Sequence, residues 1–207
     1  MRRQNFRRPC GGVGRILRYF SRHMRWIFVF FCMSVGAASA NDWDAFSQPG
    51  AIGIMRHALA PGTGDPANLV IGECTTQRNL DARGQKQARA IGEALRARNI
   101  RFDVVLTSQW CRTRETADLL DLGPVVEAPV LNSFFRDFST RDQQTTAAQD
   151  LIASTDGRLM LVTHQVNISA LTGQTTRSGE ILIIRPVAGG VNRPGFTGDC
   201  LVLLKRL

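Results

Sequence analysis

AIGIMRHALAPGTGDP, residues 51–66, runs an apolar stretch into glycines and prolines, with an Arg and a His at the junction. A short apolar run closed by turn residues is the pattern of a strand buried on both faces. The same signature returns in DVVLTS (103–108), RLMLVTH (158–164), EILIIR (180–185) and CLVLLK (200–205). Strands buried on both faces need helices to cover them, and helical patterns lie between them. Leu80 to Arg98 carries Ala88, Ile91 and Leu95 at helical spacing with Asn99 as a stop, and Arg112 to Leu122 is closed by Gly123 and Pro124. A third helix is expected over about 145–154, and a shorter one after His164, ending before Gly173. This alternation predicts an α/β class fold, a three-layer α/β/α sandwich with a largely parallel central sheet. Ligands of such sheets bind beyond the carboxyl ends of the strands. His57, Ser108 and His164 each fall at or just past such an end.

The formal charge of +9 would suggest a nucleic-acid partner if it were spread over the fold. It is not. Residues 1–40 hold eight Arg and no Asp or Glu, so the remainder has 26 less 8, or 18, Lys and Arg against 17 Asp and Glu, a net of +1. Without a basic stripe, nucleic-acid binding is excluded as the expected function. The first 40 residues have the layout of an export signal: basic through Arg25, apolar WIFVFFCMSVG over 26–36, then ASA ending at Ala40. The apolar run is too short for a membrane span. Cleavage is expected after Ala40, with an uncleaved anchor as the alternative and Met24 as a second candidate start. No small residues of the lipid-attachment type precede Cys32. The expected organisation is a signal peptide over 1–40 and one domain over 41–207, periplasmic or secreted, meeting the membrane only through the signal segment before cleavage. The whole chain's 43% apolar content suffices for one core. Three cysteines stay in the mature part, Cys74, Cys111 and Cys200, in a compartment that permits disulfides.

Two histidines at strand ends, with an Arg beside each of two strand-to-helix turns, suggest a phosphate site, since the planar guanidinium fork matches phosphate oxygens. Helix N-termini after Ser108 and His164 would add backbone N–H groups. Against this, a single His is more often structural, and an Arg in a first helical turn is commonly a solvated charge. Both histidines of the mature part, however, fall at equivalent places; the third, His23, is in the leader.

Four segments, MRH (55–57), RNLDARGQKQA (78–88), SQWCRTRETA (108–117) and VTHQVN (162–167), resemble in their order the histidine phosphatase superfamily, which includes the phosphoglycerate mutases. The resemblance runs from about Ile52 to Leu171 and implies a phosphoglycerate mutase-like fold. It implies that His57 is the nucleophile that becomes phosphohistidine, and that Arg56, Arg112 and His164 hold the phosphate oxygens. Arg78 and Asn167 would support the site, Asn167 as a substrate-binding residue. The chemistry is self-consistent: a neutral imidazole attacks without a separate base, and fixed cations meet the charge on the transferring group, so neither metal nor cofactor is required.

This sequence departs from the family pattern at three places. Ala58 follows the Arg-His pair where the family has Gly. Asn132 stands where the mutase-like branch has a Glu, and Gln165 where the acid phosphatase and phytase branch has an Asp. Either a substitute acid comes from the loop after Phe135, with Asp137 the first candidate and Asp142 the next, each equally readable as a solvated loop Asp, or the substrate has a leaving group that departs unprotonated. The Gly-, Pro- and Thr-rich segment from Ala58 to Gln77 is long enough for a lid. Within that reading Cys74 and Cys111 either bridge lid to site or are two ordinary buried thiols, and Trp110 either lines the pocket or packs beside a helix start. The expected function is an exported histidine acid phosphatase-type phosphomonoesterase acting on a small phosphorylated substrate; a non-turnover phosphate-ligand-binding protein of the same fold and a phosphomutase are the alternatives.

Overall fold

The computed structural model describes residues 42–186 and 201–207. The expected signal segment and Cys200 lie outside them. Six strands form one sheet: β1 (Ile52–Arg56), β2 (Val104–Thr107), β3 (Val125–Glu127), β4 (Leu159–Thr163), β5 (Ile181–Pro186) and β6 (Leu201–Arg206), in the spatial order β3-β2-β4-β1-β5-β6. β3, β2, β4 and β1 are parallel, while β5 and β6 continue the sheet antiparallel. The parallel expectation therefore holds for the four strands before residue 164, and the chain's last two strands pair the other way.

The strands form where they do because both of their faces are covered. On one face Met55, Val105, Met160, Val162, Ile181 and Ile183 pack with Leu95, Ala117 and Leu120; on the other Ile54, Leu106, Leu159, Leu161, Leu182 and Ile184 pack with Ala148, Ile152, Ile168 and Leu171. Alternate residues of one strand thus enter opposite cores, as the two-residue period of a strand requires. The first core is capped by helices α1 (Ala82–Arg96) and α2 (Cys111–Leu120), the second by α3 (Arg141–Ser154) and α4 (Gln165–Thr172). Burying each large aliphatic side chain contributes about 1.5–3 kcal/mol.

Helix boundaries differ from the expected ones for local reasons. α1 starts at Ala82 rather than Leu80 because Asp81 caps it, accepting from the Gly84 N–H. α2 stops at Leu120, where Asp121 takes a left-handed conformation (φ 50°), before the expected Gly123 signal. α3 begins at Arg141, a turn earlier than the expected Thr145. Asn99 does act as a stop, at φ 57°. β3 was not foreseen: it is a three-residue edge strand, exposed throughout, whose lone partner in the sheet is β2.

Two glycines let backbones meet. A Cβ at Gly84 would lie 2.0 Å from the Leu59 carbonyl oxygen, and one at Gly92 2.1 Å from that of Leu120. The first seats the start of α1 against the segment just after His57, and the second lets α1 lie against the end of α2. In this way the fold fixes the strand ends and the loop beside them, with β4 between β1 and β2 and helices leaving to opposite faces. That is the crevice where open α/β sheets bind ligands.

Candidate active site

His57 follows β1, Ser108 follows β2 and His164 follows β4, so neighbouring strands carry all three to one edge. Backbone bonds lock them there: the His57 N–H donates to the Thr163 carbonyl at 3.0 Å and the Ser108 N–H to that of Val162 at 3.2 Å. The strand ends open into a pocket of about 240 Å³ whose lining includes Arg56, His57, Arg78, Arg112 and His164. The structure therefore brings together the four residues expected to carry the chemistry.

The proton positions on both imidazoles follow from their partners. His57 Nδ1 is 2.7 Å from the Ala58 carbonyl oxygen. A carbonyl only accepts, so Nδ1 bears the hydrogen and Nε2 keeps its lone pair. His164 Nδ1 is 3.3 Å from Arg112 Nη2 and its Nε2 is 2.7 Å from Ser108 Oγ. A guanidinium only donates, so here the lone pair is on Nδ1 and the hydrogen on Nε2. Ser108 Oγ then donates its own hydrogen to Thr113 Oγ1 at 2.6 Å, and Thr113 donates to the Trp110 carbonyl at 2.7 Å. The chain of donors closes, with both rings neutral.

Burial and the cations enforce that neutrality. Burial above all, then Arg112, pushes His57 down to about 3, with Arg56 and Arg78 adding to the shift and the Ala58 carbonyl opposing it. His164 is pushed well below its ordinary range by burial, Arg112 and His57. Arg56 and Arg78 are themselves lowered by burial and by Arg112. Three guanidiniums around one cavity repel one another, so the cluster favours a bound anion. Arg56 Nε and Arg112 Nε are buried with no hydrogen-bond partner, whereas buried donors are ordinarily satisfied. Arg56 spends Nη1 on the Thr176 carbonyl. Arg78 braces the loop instead, donating from Nε to the Gly64 carbonyl at 2.7 Å and from Nη1 to that of Ala60. Among the described residues no cluster of His, Cys, Asp or Glu suited to a metal is present.

The depressed histidine has a consequence for stability. Below about pH 6.5 the unfolded chain protonates His57 while the folded chain does not until about pH 3, so stability is full above 6.5 and falls as pH drops through that window. By pH 5 the loss from this one group is about 2 kcal/mol. His57→Asn is expected to flatten the fall in Tm between pH 7 and 5, and saturating inorganic phosphate to oppose it. Thermal melts of both proteins across that range check this.

Other expected residues stand elsewhere. Asp137, the first candidate acid, is outside the pocket lining: it is exposed, caps a 3-10 turn (Phe138–Thr140) and accepts from the Ser139 N–H and Oγ, contacts that hold its carboxyl below the usual range. A carboxylate tied down in solvent is not placed to protonate anything in the site. Asp142 is also exposed and outside the lining, in the first turn of α3, 3.9 Å from Arg141. Asn167 does not line the pocket; buried in α4, it donates to the Asn132 carbonyl, a brace rather than a ligand. Asn132 caps the Gln109 N–H, and Gln165 lines the pocket while accepting from Thr176. Trp110 is buried, edge-on to His164 at 5.3 Å between ring centres, and is packing rather than lining.

Asp65 went unremarked in the sequence. It lines the pocket and pairs both oxygens with Arg112, Oδ1 to Nη1 at 2.5 Å and Oδ2 to Nη2 at 3.1 Å, while Trp110 Nε1 donates to Oδ2 at 3.2 Å. The available signal was a carboxylate in GTGDP, eight residues beyond the nucleophile candidate.

Cys74 and Cys111 form a disulfide, Cα to Cα 5.6 Å across 37 positions. The bridge ties the 58–77 loop to the residue before Arg112, and Gln77 Oε1 reinforces it by accepting from the Cys111 N–H. Closing a loop of that length contributes about 3–4 kcal/mol. Reduction, or Cys74→Ser with Cys111→Ser, is expected to lower Tm by on the order of 10 °C, measured by melts with and without reductant.

Residues 52–134, spanning β1 to the start of the loop after β3, match the model of the histidine phosphatase superfamily (branch 1). Over those residues the chain is similar to the histidine phosphatase superfamily. Solved structures repeat the fold. The proposed phosphohistidine phosphatase SixA from Agrobacterium tumefaciens is 17% identical with a TM-score of 0.52, over 77% of this chain and 98% of that one. A protein histidine phosphatase SixA complexed with tungstate is 16% identical, TM-score 0.51, over 76% and 96%. A phosphoserine phosphatase from Entamoeba histolytica, in complex with 3-phosphoglyceric acid, is 13% identical, TM-score 0.53, over 75% and 95%. At these identities the likeness is one of fold. No curated protein sequence is significantly similar to the chain. Within a histidine phosphatase fold the strand-end histidines occupy the crevice that the sheet order creates.

Proposed function

We propose that this histidine phosphatase superfamily chain is an exported, metal-independent phosphomonoesterase that works through a phosphohistidine on His57. The observation that carries the reading is the pair of imidazole contacts, His57 Nδ1 on the Ala58 carbonyl and His164 Nδ1 on Arg112. His57 presents the Nε2 lone pair because Nδ1 is tied to Ala58, while three guanidinium groups surround the space before it. In the first step that lone pair attacks phosphorus and the ester oxygen leaves with the bonding electrons. Arg56 and Arg112, with their unpartnered Nε groups, meet the charge on the phosphoryl oxygens. Guanidiniums here supply the charge compensation that metal ions give in other phosphoryl transfers. His164, kept neutral by burial and then by Arg112, steadies the Arg112 fork by accepting from its Nη2 at Nδ1. Water then attacks the phosphohistidine and returns Nε2 to its starting state.

Fold neighbours that bind tungstate, a tetrahedral oxyanion, and 3-phosphoglyceric acid fit a small phosphorylated substrate. Export is proposed from the basic-apolar-ASA layout of residues 1–40, and the Cys74–Cys111 bridge suits an oxidising compartment. The substrate class that fits this setting is a small phosphate ester, such as an envelope sugar phosphate. The test is phosphate release from 4-nitrophenyl phosphate by the purified protein, in chelator, from acidic to neutral pH. Turnover in chelator supports the reading. Saturable phosphate binding without release would instead make it a phosphate-ligand-binding protein, and phosphoryl transfer to a second substrate hydroxyl rather than to water would make it a mutase.

A further inference from the structure

An alkyl phosphate needs a proton delivered to its departing oxygen, yet the two positions where a carboxylate was expected hold the amides Asn132 and Gln165, each already committed to neighbours. Among the residues lining the pocket Asp65 alone carries a carboxylate. Its side chain is 5% exposed, and both oxygens are engaged, by Arg112 and Trp110. The backbone carrying it is fastened on either side: Arg78 Nε holds the Gly64 carbonyl, and Arg136 reaches those of Pro66 and Ala67 at 3.5 and 3.3 Å. This carboxylate is a built part of the site rather than a passing loop charge.

Asp65 takes Nη1 and Nη2 of Arg112 and leaves Nε, which is buried and has no partner. A phosphate oxygen accepted at Nε would set two anions on one guanidinium. A phosphate ester that enters as its monoanion carries one proton, and Asp65 is the lining carboxylate that shares Arg112 with it. We propose that Asp65 is the catalytic acid and base of this site, protonating the ester oxygen that leaves phosphorus. The inference rests on the phosphohydrolase reading above. In the first step the His57 Nε2 to phosphorus bond forms, the phosphorus to ester oxygen bond breaks with its electrons on oxygen, and the Asp65 proton moves to that oxygen, releasing a neutral alcohol. In the second, Asp65 takes a proton from water as its oxygen bonds phosphorus, and the phosphorus to Nε2 electrons return to His57.

The experiment compares kcat/KM for 4-nitrophenyl phosphate and for glycerol 2-phosphate in the unaltered protein and in Asp65→Asn, with Tm and inhibition by inorganic phosphate measured alongside. A lost general acid is expected to cost 10²- to 10⁴-fold or so on the alkyl ester and far less on the nitrophenyl ester, whose leaving group departs unprotonated. Equal losses on both esters overturn the inference. So does a gain on both with tighter phosphate inhibition, which would make Asp65 merely an anion competing for Arg112. Should Asp65→Asn fail to fold, a series of phosphates with the unaltered protein decides: a protonated leaving group makes kcat/KM nearly independent of leaving-group basicity, and a steep dependence overturns the role. No turnover of either ester by the unaltered protein overturns the phosphohydrolase reading itself, and the proton donor with it.

Discussion

His57→Asn is expected to release phosphate from 4-nitrophenyl phosphate no faster than buffer, a loss of 10⁴-fold or more, while still binding inorganic phosphate. Asn is the informative replacement, because its amide can keep the donation to the Ala58 carbonyl that Nδ1 now makes. What disappears is Nε2; the Nδ1 lone pair of His164 is instead turned toward Arg112. The four residues around the phosphate space act as a unit, so no remaining group substitutes for the nucleophile. A steady-state assay beside phosphate titration by calorimetry separates lost chemistry from a lost site. If His57→Asn turned over at even a hundredth of the unaltered rate, covalent catalysis by this histidine would be untenable.

Arg112→Ala is the second large effect, and it acts on both turnover and stability. Arg112 is buried, contacts His164, and is the cation that most depresses His57 after burial itself. Losing a fixed donor to the transition-state oxygens costs about 3–4 kcal/mol, or 10²- to 10³-fold in kcat. Its removal also leaves the Asp65 carboxylate buried without its cation, a destabilisation of about 3–5 kcal/mol. Arg112→Ala combined with Asp65→Asn removes that stranded charge, so the double variant should recover much of the lost Tm without recovering turnover. Arg112→Lys should rescue little of either, because a point charge cannot reproduce the two-pronged pairing with Asp65. Melting curves with kcat/KM for the three variants check the separation.

Much of this was written in local patterns. The strands beginning near Ile52, Val104, Leu159 and Ile181 are visible because, buried on both faces, they are runs of apolar residues, and the site histidines are visible because they end such runs. The edge strand Val125–Glu127 was hidden because an exposed three-residue segment carries no periodicity. The antiparallel arrangement of β5 and β6 was equally hidden, since strand direction depends on the connection rather than on the residues within the strand. The site divided along similar lines. Arg56 and Arg112 are adjacent to chemistry-bearing motifs, whereas Asp65 meets Arg112 only through a contact spanning 47 positions that the folded loop creates. Asp137 illustrates the reverse error: a carboxylate in a plausible stretch of chain whose own Ser139 contacts keep it in solvent. The Cys74–Cys111 pairing depends on the fold, which brings Cys74 of the 58–77 loop to the first residue of α2, 37 positions away.

The most direct test of the account is acid-sensitive trapping of the enzyme intermediate. Protein mixed with a radiolabelled aryl phosphate is quenched in denaturant at alkaline pH, digested, and the label mapped by peptide. The account predicts label on the peptide that contains His57, stable in base, lost in mild acid, and absent from His57→Asn. Turnover that proceeds with no label on that peptide, or with an acid-stable label elsewhere, would contradict it.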